Sequence, residues 1–343
     1  MKFIASFALG ACALAAMPAL AAETVSYASY GGAYQEGVRK AILDHLPKDH
    51  DMQVTEYTLQ SGIADVRTKV KGGANDLDVA ELYGGYCQQA ADEGLLEKLD
   101  YSKIPNAAGI PERLRNDYWI GFTAYSTVLA YNTDVYKDNP PKNWADFFDT
   151  EKFPGTRALS GYSGQSNLEL ALLADGVARD KVYPLDVDRA FAKLEKLKPD
   201  VSVFWTSGSQ ATQLATSQEV DMLSIWAARI EAAIKEGAPY AYTINEAIMD
   251  VECLVVPKGS PNPQGAMKLV NHLLDPDYQA NLPDFIPYGP MNQDAFKSGK
   301  ITPEKAAKIV TSEENIKQQL VIDAAYWAEH ATGLQERWDT FKQ

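Results

Sequence analysis

Apolar positions along this chain alternate between two rhythms. Short hydrophobic runs, several ending in an aromatic, predict strands over Thr24–Tyr30, around Met52–Tyr57, in "DLDVAELY" from Asp76, in "SVFW" and in "DMLSIW". Apolar residues spaced by three and four predict helices over Tyr34–Leu46, Ile63–Val70 and Asn167–Gly176, near Asp186–Lys196 and Gln210–Ser217, and from about Ala228. A strand followed each time by a helix implies parallel pairing in an α/β fold whose sheet is covered on both faces. A polar, aromatic, turn-rich passage from Asn139 to Arg157 breaks the alternation, which then restarts, so a second α/β unit is expected over roughly 132–250. The apolar "DVECLVVPKGSPN" supplies one more strand, and the remainder reads as helical. Two open sheets leave a cleft where their strand C-termini meet, which is where ligands bind in such folds.

The first 21 residues change the picture of location. Lys2, an apolar run from Phe3 to Ala16, Pro18 and then Ala19-Leu20-Ala21 make the three-part pattern of a secretory signal, with cleavage after about Ala21 or Ala22. The alternative is lipid attachment at Cys12, but little apolar sequence precedes it. Export to the periplasm is therefore expected. A chain of 343 residues has room for two cores, and its formal charge of −14 falls to −15 once Lys2 is removed. That balance, with no basic stripe, argues against nucleic acid as a partner. Cys87 and Cys253 remain, in a compartment that permits disulfides; they either pair or are small buried core groups.

Candidate chemistry is sparse. There is no His-Glu-x-x-His, Cys-x-x-Cys, G-x-S-x-G, P-loop or G-x-G-x-x-G pattern, and the four histidines, His45, His50, His272 and His330, lie among charged neighbours as solvated surface groups. No metal, cofactor or catalytic residue is nominated. What recurs is aromatic residues where strands end: Tyr27 and Tyr30, Tyr83, Trp205 and Trp226, joined by Tyr125 and by Tyr288 in "FIPYGPMN". Aromatic walls in a cleft suit a weakly hydrated cation, held by the negative faces of the rings.

"DLDVAELYGGYCQQAADEGLLEKLDYSKIPN", "VLAYNTDVY", "PKNWADFFDTEKFPG", "DVECLVVPKGSPN" and "FIPYGPMN", in that order, resemble the periplasmic substrate-binding proteins of ATP-driven importers, in the branch that includes the spermidine/putrescine receptors. The resemblance runs over nearly the whole mature chain. It implies a two-lobed type II binding-protein fold that closes over a small molecule. Lobe one would comprise 22–130 and 252–300, lobe two 131–251, with C-terminal helices from 301 to 343 packed on both. It also implies a monomer that delivers its ligand to an inner-membrane permease and its ATPase. By position, Tyr30, Tyr83, Trp226, Glu252 and Tyr288 match ligand contacts of the polyamine receptors, Glu252 as the acid that binds an amine; Trp205 matches less closely.

Two departures shift the expected ligand. Polyamine receptors carry further acids at the start of lobe two, where this chain has "LSGYSGQSN", offering Ser163, Ser166 and Asn167 and no acid before Glu169. A second ammonium would lack its counter-charge there, and desolvating it would be costly. Arg229, one helical step past Trp226, offers a guanidinium fork to an anionic group, unless Glu231 or Asp221 pairs with it at the surface. With Glu252 and Arg229 both in the site, the expected ligand is a zwitterion or a mono-amine with an anionic or polar far end, such as a γ-amino acid, a betaine or an amino-acid derivative. A polyamine receptor proper, a sensor for signalling and a secreted α/β enzyme using the same cleft are the competing readings.

Overall fold

The computed structural model describes residues 23–161 and 164–343. The proposed signal sequence, Cys12 and Ser163 lie outside the described residues. Among those described, ten strands form one mixed sheet: β1 (Glu23–Ser29), β2 (Met52–Thr58), β3 (Val79–Tyr83), β4 (Trp119–Asn132), β5 (Arg157–Ser160), β6 (Val201–Trp205), β7 (Met222–Trp226), β8 (Tyr240–Val255), β9 (Gly289–Pro290) and β10 (Leu320–Val321). The order is β2-β1-β3-β8-β4-β7-β5-β6, with β10 added to β8 and β9 to β4.

Parallel pairing holds within each wing, β1 with β2 and β3 and β5 with β6 and β7, but not at the centre. There β3, β4, β7 and β8 pair antiparallel. The cause is the path of the chain: β4 carries it from lobe one to lobe two and β8 brings it back, so the two crossing strands run in opposite directions. The expected pair of sheets is consequently one continuous sheet. β8 has 16 residues, about 50 Å of extended chain, and it starts well before the apolar "DVECLVV". The boundaries read at 130/131 and 251/252 fall inside β4 and β8. Opposite Val128 the register breaks between Thr127↔Ile248 and Leu129↔Thr243, and residues 244–247 bulge out.

Each wing is sandwiched between helices. In lobe one, Val25, Val38, Phe122, Leu254 and Val270 pack on one face, and Ala28, Leu82, Cys87 and Val255 on the other. In lobe two, Leu129, Trp144, Phe191 and Trp338 cover one face, and Val128, Leu223, Ile225 and Ile230 the other. The C-terminal helix Ala324–Phe341 serves both lobes. Its Leu334, Trp338 and Phe341 enter the lobe-two core, while it packs along the lobe-one helix Gly84–Asp92. Cys87 and Cys253 are bonded and fully buried, tying that same lobe-one helix to β8.

His272 departs from the surface reading. It is 2 % exposed, its Nε2 lies 3.1 Å from the Ile42 carbonyl, and burial lowers its pKa. Among the described residues no helix is long and apolar enough to cross a membrane, and no group of three or more His, Cys, Asp or Glu is arranged to hold a metal ion.

Candidate ligand-binding site

The site follows from strand register. Tyr83, the last residue of β3, is paired with Glu252 of β8, and Glu252 is paired on its other side with Thr123 of β4. Side chains two apart on a strand share a face, so Glu81 and Tyr83 stand on the same side as Glu252, and Asp250 stands two residues before it. β1 runs parallel beside β3 and delivers Tyr30 just past its end. Tyr30 and Tyr83 stack at 4.7 Å between ring centres with planes 22° apart.

From there a file of rings crosses between the lobes. Tyr34 meets Tyr30 at 6.2 Å and Tyr288 at 4.9 Å; Tyr288 meets Tyr125 of β4 at 5.9 Å, and Tyr125 meets Trp226 at 6.0 Å. Trp226 in turn rests edge-on against Trp205 at 5.3 Å. Trp205 is only 1 % exposed and its indole N–H donates to the Ser224 carbonyl. It is the floor under Trp226, and the structure does not bring it to the cleft surface. Tyr83, by contrast, is 39 % exposed at the rim.

Three carboxyl groups underlie the lobe-one half. Glu81 is fully buried and accepts hydrogen bonds from Tyr27 Oη, Ser29 Oγ and Tyr34 Oη. Burial raises its pKa and these donors oppose the rise. Asp250 accepts from Gln165 Nε2 (2.8 Å), Tyr125 Oη (3.1 Å) and the Val251 amide (2.8 Å); burial raises its pKa as well. Glu252 is different: it is 2 % exposed, and its Oε2 has no hydrogen-bond partner among the described residues. Burial first, then the charges of Glu81 and Asp250, push its pKa well above the carboxylate range. The Tyr30 hydroxyl is close enough to ease that rise, and its Oη is likewise buried with no settled partner among the described residues. Among the described residues no lysine bears on the Glu252 charge.

Trp226 is extended (φ −67°, ψ 132°) and ends β7, and the helix Ala227–Lys235 begins directly after it. Arg229 therefore projects from the first turn, where it is exposed. The surface partners considered for it are engaged elsewhere: Asp221 binds the Thr156 amide and hydroxyl, and Glu231 accepts from Tyr242. Its charge instead opposes the upward pKa shift of Tyr288, which burial and then Glu252 impose. Gly208 makes room for this arrangement, since a Cβ there would lie 2.5 Å from Arg229 Nε and 3.0 Å from Trp226 Cζ3. Ser166 stands in the left-handed region (φ +68°) just before the helix Asn167–Ala174, with its Oγ 3.5 Å from Thr127 Oγ1.

The structure brings the expected Tyr30, Tyr83, Trp226, Arg229, Glu252 and Tyr288 into one neighbourhood, and Glu81, Asp250, Tyr34 and Gln165, which the sequence does not single out, lie beside them. A signal for Glu81 and Asp250 was present: an acid inside an apolar strand, two residues before Tyr83 and two before Glu252.

The profile described as bacterial extracellular solute-binding protein matches residues 42–309. A gamma-aminobutyric acid-binding protein of Pseudomonas aeruginosa is 30% identical over 96% of this chain and 94% of its own length. A spermidine/putrescine-binding periplasmic protein of Escherichia coli is 28% identical over 87% of this chain and 86% of its own. Among solved structures, an ABC transporter substrate-binding protein from Bradyrhizobium japonicum is 42% identical, covers 94% of this chain and 100% of its own, and superposes with a TM-score of 0.88. With its two-lobed α/β fold, the chain belongs to the bacterial extracellular solute-binding protein family.

Proposed function

We propose that this protein is an exported, monomeric receptor that captures a small zwitterionic amine by lobe closure and passes it to an inner-membrane ABC permease and its ATPase. The observation that carries the reading is the separation of charge across the cleft. On the lobe-one side, Glu252 offers a buried, unpartnered oxygen inside an aromatic box; on the lobe-two side, Arg229 offers a guanidinium whose nearby acids are taken. An ammonium at Glu252, faced by Tyr30, Tyr83 and Tyr288, gains a counter-charge and ring faces together. A carboxylate at Arg229 gains the fork and the free N–H groups of the helix start beside Trp226. Neither lobe completes both contacts alone, so ligand stabilises the closed form relative to the open one. Ser166 serves in this reading as neutral lining, and Trp205 as support for Trp226.

A polyamine needs a second acid on the lobe-two side. The candidate in sequence, Glu169, is fully buried and its Oε1 accepts from Tyr183 Oη and Trp327 Nε1, so it is spent on the fold. The γ-aminobutyrate-binding relative is accordingly the better guide to ligand class than the spermidine/putrescine-binding one. A thermal-shift panel of γ-aminobutyrate, other amino acids, betaines, opine-like compounds, putrescine and spermidine tests this, because a ligand that binds only the folded state raises the melting temperature. Zwitterions should give the large shifts. Shifts from polyamines alone would overturn the ligand class, and conversion of an amine in catalytic excess over protein would overturn the receptor reading itself.

A further inference from the structure

We propose that the empty receptor keeps one proton on Glu252, that Glu81 is the residue that holds it there, and that an ammonium ligand binds by exchanging for that proton. This rests on the ligand reading above and adds the event that sets its pH dependence and its selectivity for cations.

The two acids differ in what surrounds them. Glu81 has donors on both oxygens, Tyr27 Oη and Ser29 Oγ on Oε2 and Tyr34 Oη on Oε1. Tyr34 Oη lies 2.9 Å from Thr123 Oγ1, which donates back to it once the Tyr34 proton is given to Glu81. A carboxyl that accepts three hydroxyl protons has no need of its own, and these bonds are strongest to the anion. Glu252 has no such set. Facing it are Glu81 from β3, Asp250 from its own strand, the phenols of Tyr27 from β1 and of Tyr30, Tyr125 and Tyr288, and Tyr34 from the helix Gly32–Ala41, with Tyr83 opposite it in the strand register. Arg229, on lobe two, bears on Tyr288 rather than on Glu252. A second bare carboxylate beside anionic Glu81, in a pocket where Asp250 is also an acceptor, has nothing to offset it. The proton that relieves this repulsion settles on the acid with the poorer set of donors, which is Glu252: only the Tyr30 hydroxyl bears on it, and its Oε2 has no partner among the described residues.

Entry of an ammonium then proceeds without change of net charge in the site. The Glu252 O–H bond breaks, its proton passes to bulk water, and the ligand N–H donates to the carboxylate oxygen left behind. Since one proton is released for each ligand bound, affinity rises about tenfold per pH unit below the pKa of Glu252 in the free receptor and levels off above it. A neutral hydroxyl ligand of similar shape displaces no proton and gains no charge partner.

Infrared difference spectroscopy on ligand-free protein at neutral pH, wild type against Glu252→Gln, reads the proton directly. The wild type should show a protonated-carboxyl C=O stretch that the variant lacks, and Glu81→Gln should move the titration of that band to lower pH. If Glu81→Gln does not fold, Ser29→Ala, which leaves the Glu81 anion with one donor fewer, should draw proton density onto Glu81, so that a protonated-carboxyl band survives in Ser29→Ala/Glu252→Gln, and its absence there would remove the donors of Glu81 from the account. Calorimetric titration with γ-aminobutyrate in two buffers of different ionisation enthalpy should report about one proton released per ligand. Absence of the band, or heats independent of buffer while the ligand binds, would overturn the proposal. A band that Glu81→Gln leaves unmoved would remove Glu81 from it. If γ-aminobutyrate does not bind, the ligand reading fails, and the infrared comparison still decides the proton.

Discussion

Replacing Glu169 by Gln should flatten the pH dependence of stability. Glu169 lies on the helix Asn167–Ala174 with no exposed surface; its Oε1 accepts from Tyr183 Oη and Trp327 Nε1, each at 2.6 Å, and its Oε2 is buried without a partner among the described residues. Burial is the largest influence and lifts the carboxyl from 4.5 to about 7, against the opposing hydrogen bonds. The folded state therefore holds this proton more tightly than the unfolded chain does. The resulting stability is complete below pH 4.5 and is lost as pH rises through 7. At about 1.4 kcal/mol per pH unit of that gap, the wild type loses about 3 kcal/mol from this one group between pH 4 and pH 8. Gln has no proton to lose and keeps an acceptor for both donors. Urea unfolding of both proteins at intervals across this range, with stability from linear extrapolation, isolates the difference because every other carboxyl is common to both. The wild type should fall by about 3 kcal/mol more than the variant. Parallel pH profiles would refute the assignment of a buried, proton-holding Glu169.

Three further changes probe the site and its frame. Trp226→Ala removes the lobe-two ring facing Tyr125 and should weaken ligand by about tenfold or more in calorimetric titration, with urea unfolding confirming the fold. Gly208→Ala should lower affinity with little loss of stability, because the new Cβ displaces Arg229 and Trp226 while alanine suits a helix; unaltered affinity would show that those two side chains need not lie where they do. Removing the Cys87–Cys253 bond by double substitution with Ala opens a 166-residue loop in the unfolded chain, which in the loop-entropy account costs roughly 5 kcal/mol, read as a lower urea midpoint.

Much of the architecture was legible because strands that are buried on both faces leave largely apolar runs, broken only by Glu81 in Val79–Tyr83 and by Ser224 in Met222–Trp226, and each ends in an aromatic. The central sheet was not. β8 begins with "YAYTINEA", whose polar, half-exposed residues resemble a loop, and only its partner β4 shows that they continue the strand. Burial of single polar residues was equally hidden. His272 sits among helix-surface neighbours in sequence, yet the Ile42 carbonyl and the lobe-one core enclose it. Trp205 and Trp226 end strands in the same way, but stacking one beneath the other leaves only Trp226 facing the cleft. Cys87 and Cys253 are 166 residues apart, and their meeting depends on the antiparallel pairing of Leu82 with Cys253, which no local pattern encodes.

γ-Aminobutyrate and putrescine carry the same four-carbon frame and differ at one end, carboxylate against ammonium, so titrating each calorimetrically into the wild-type protein and into Arg229→Ala tests the two-ended site most directly. Saturable binding of γ-aminobutyrate well above that of putrescine, with the difference erased in the variant, is the expected result. Tight putrescine binding with no response to γ-aminobutyrate, unchanged by the loss of Arg229, would contradict it.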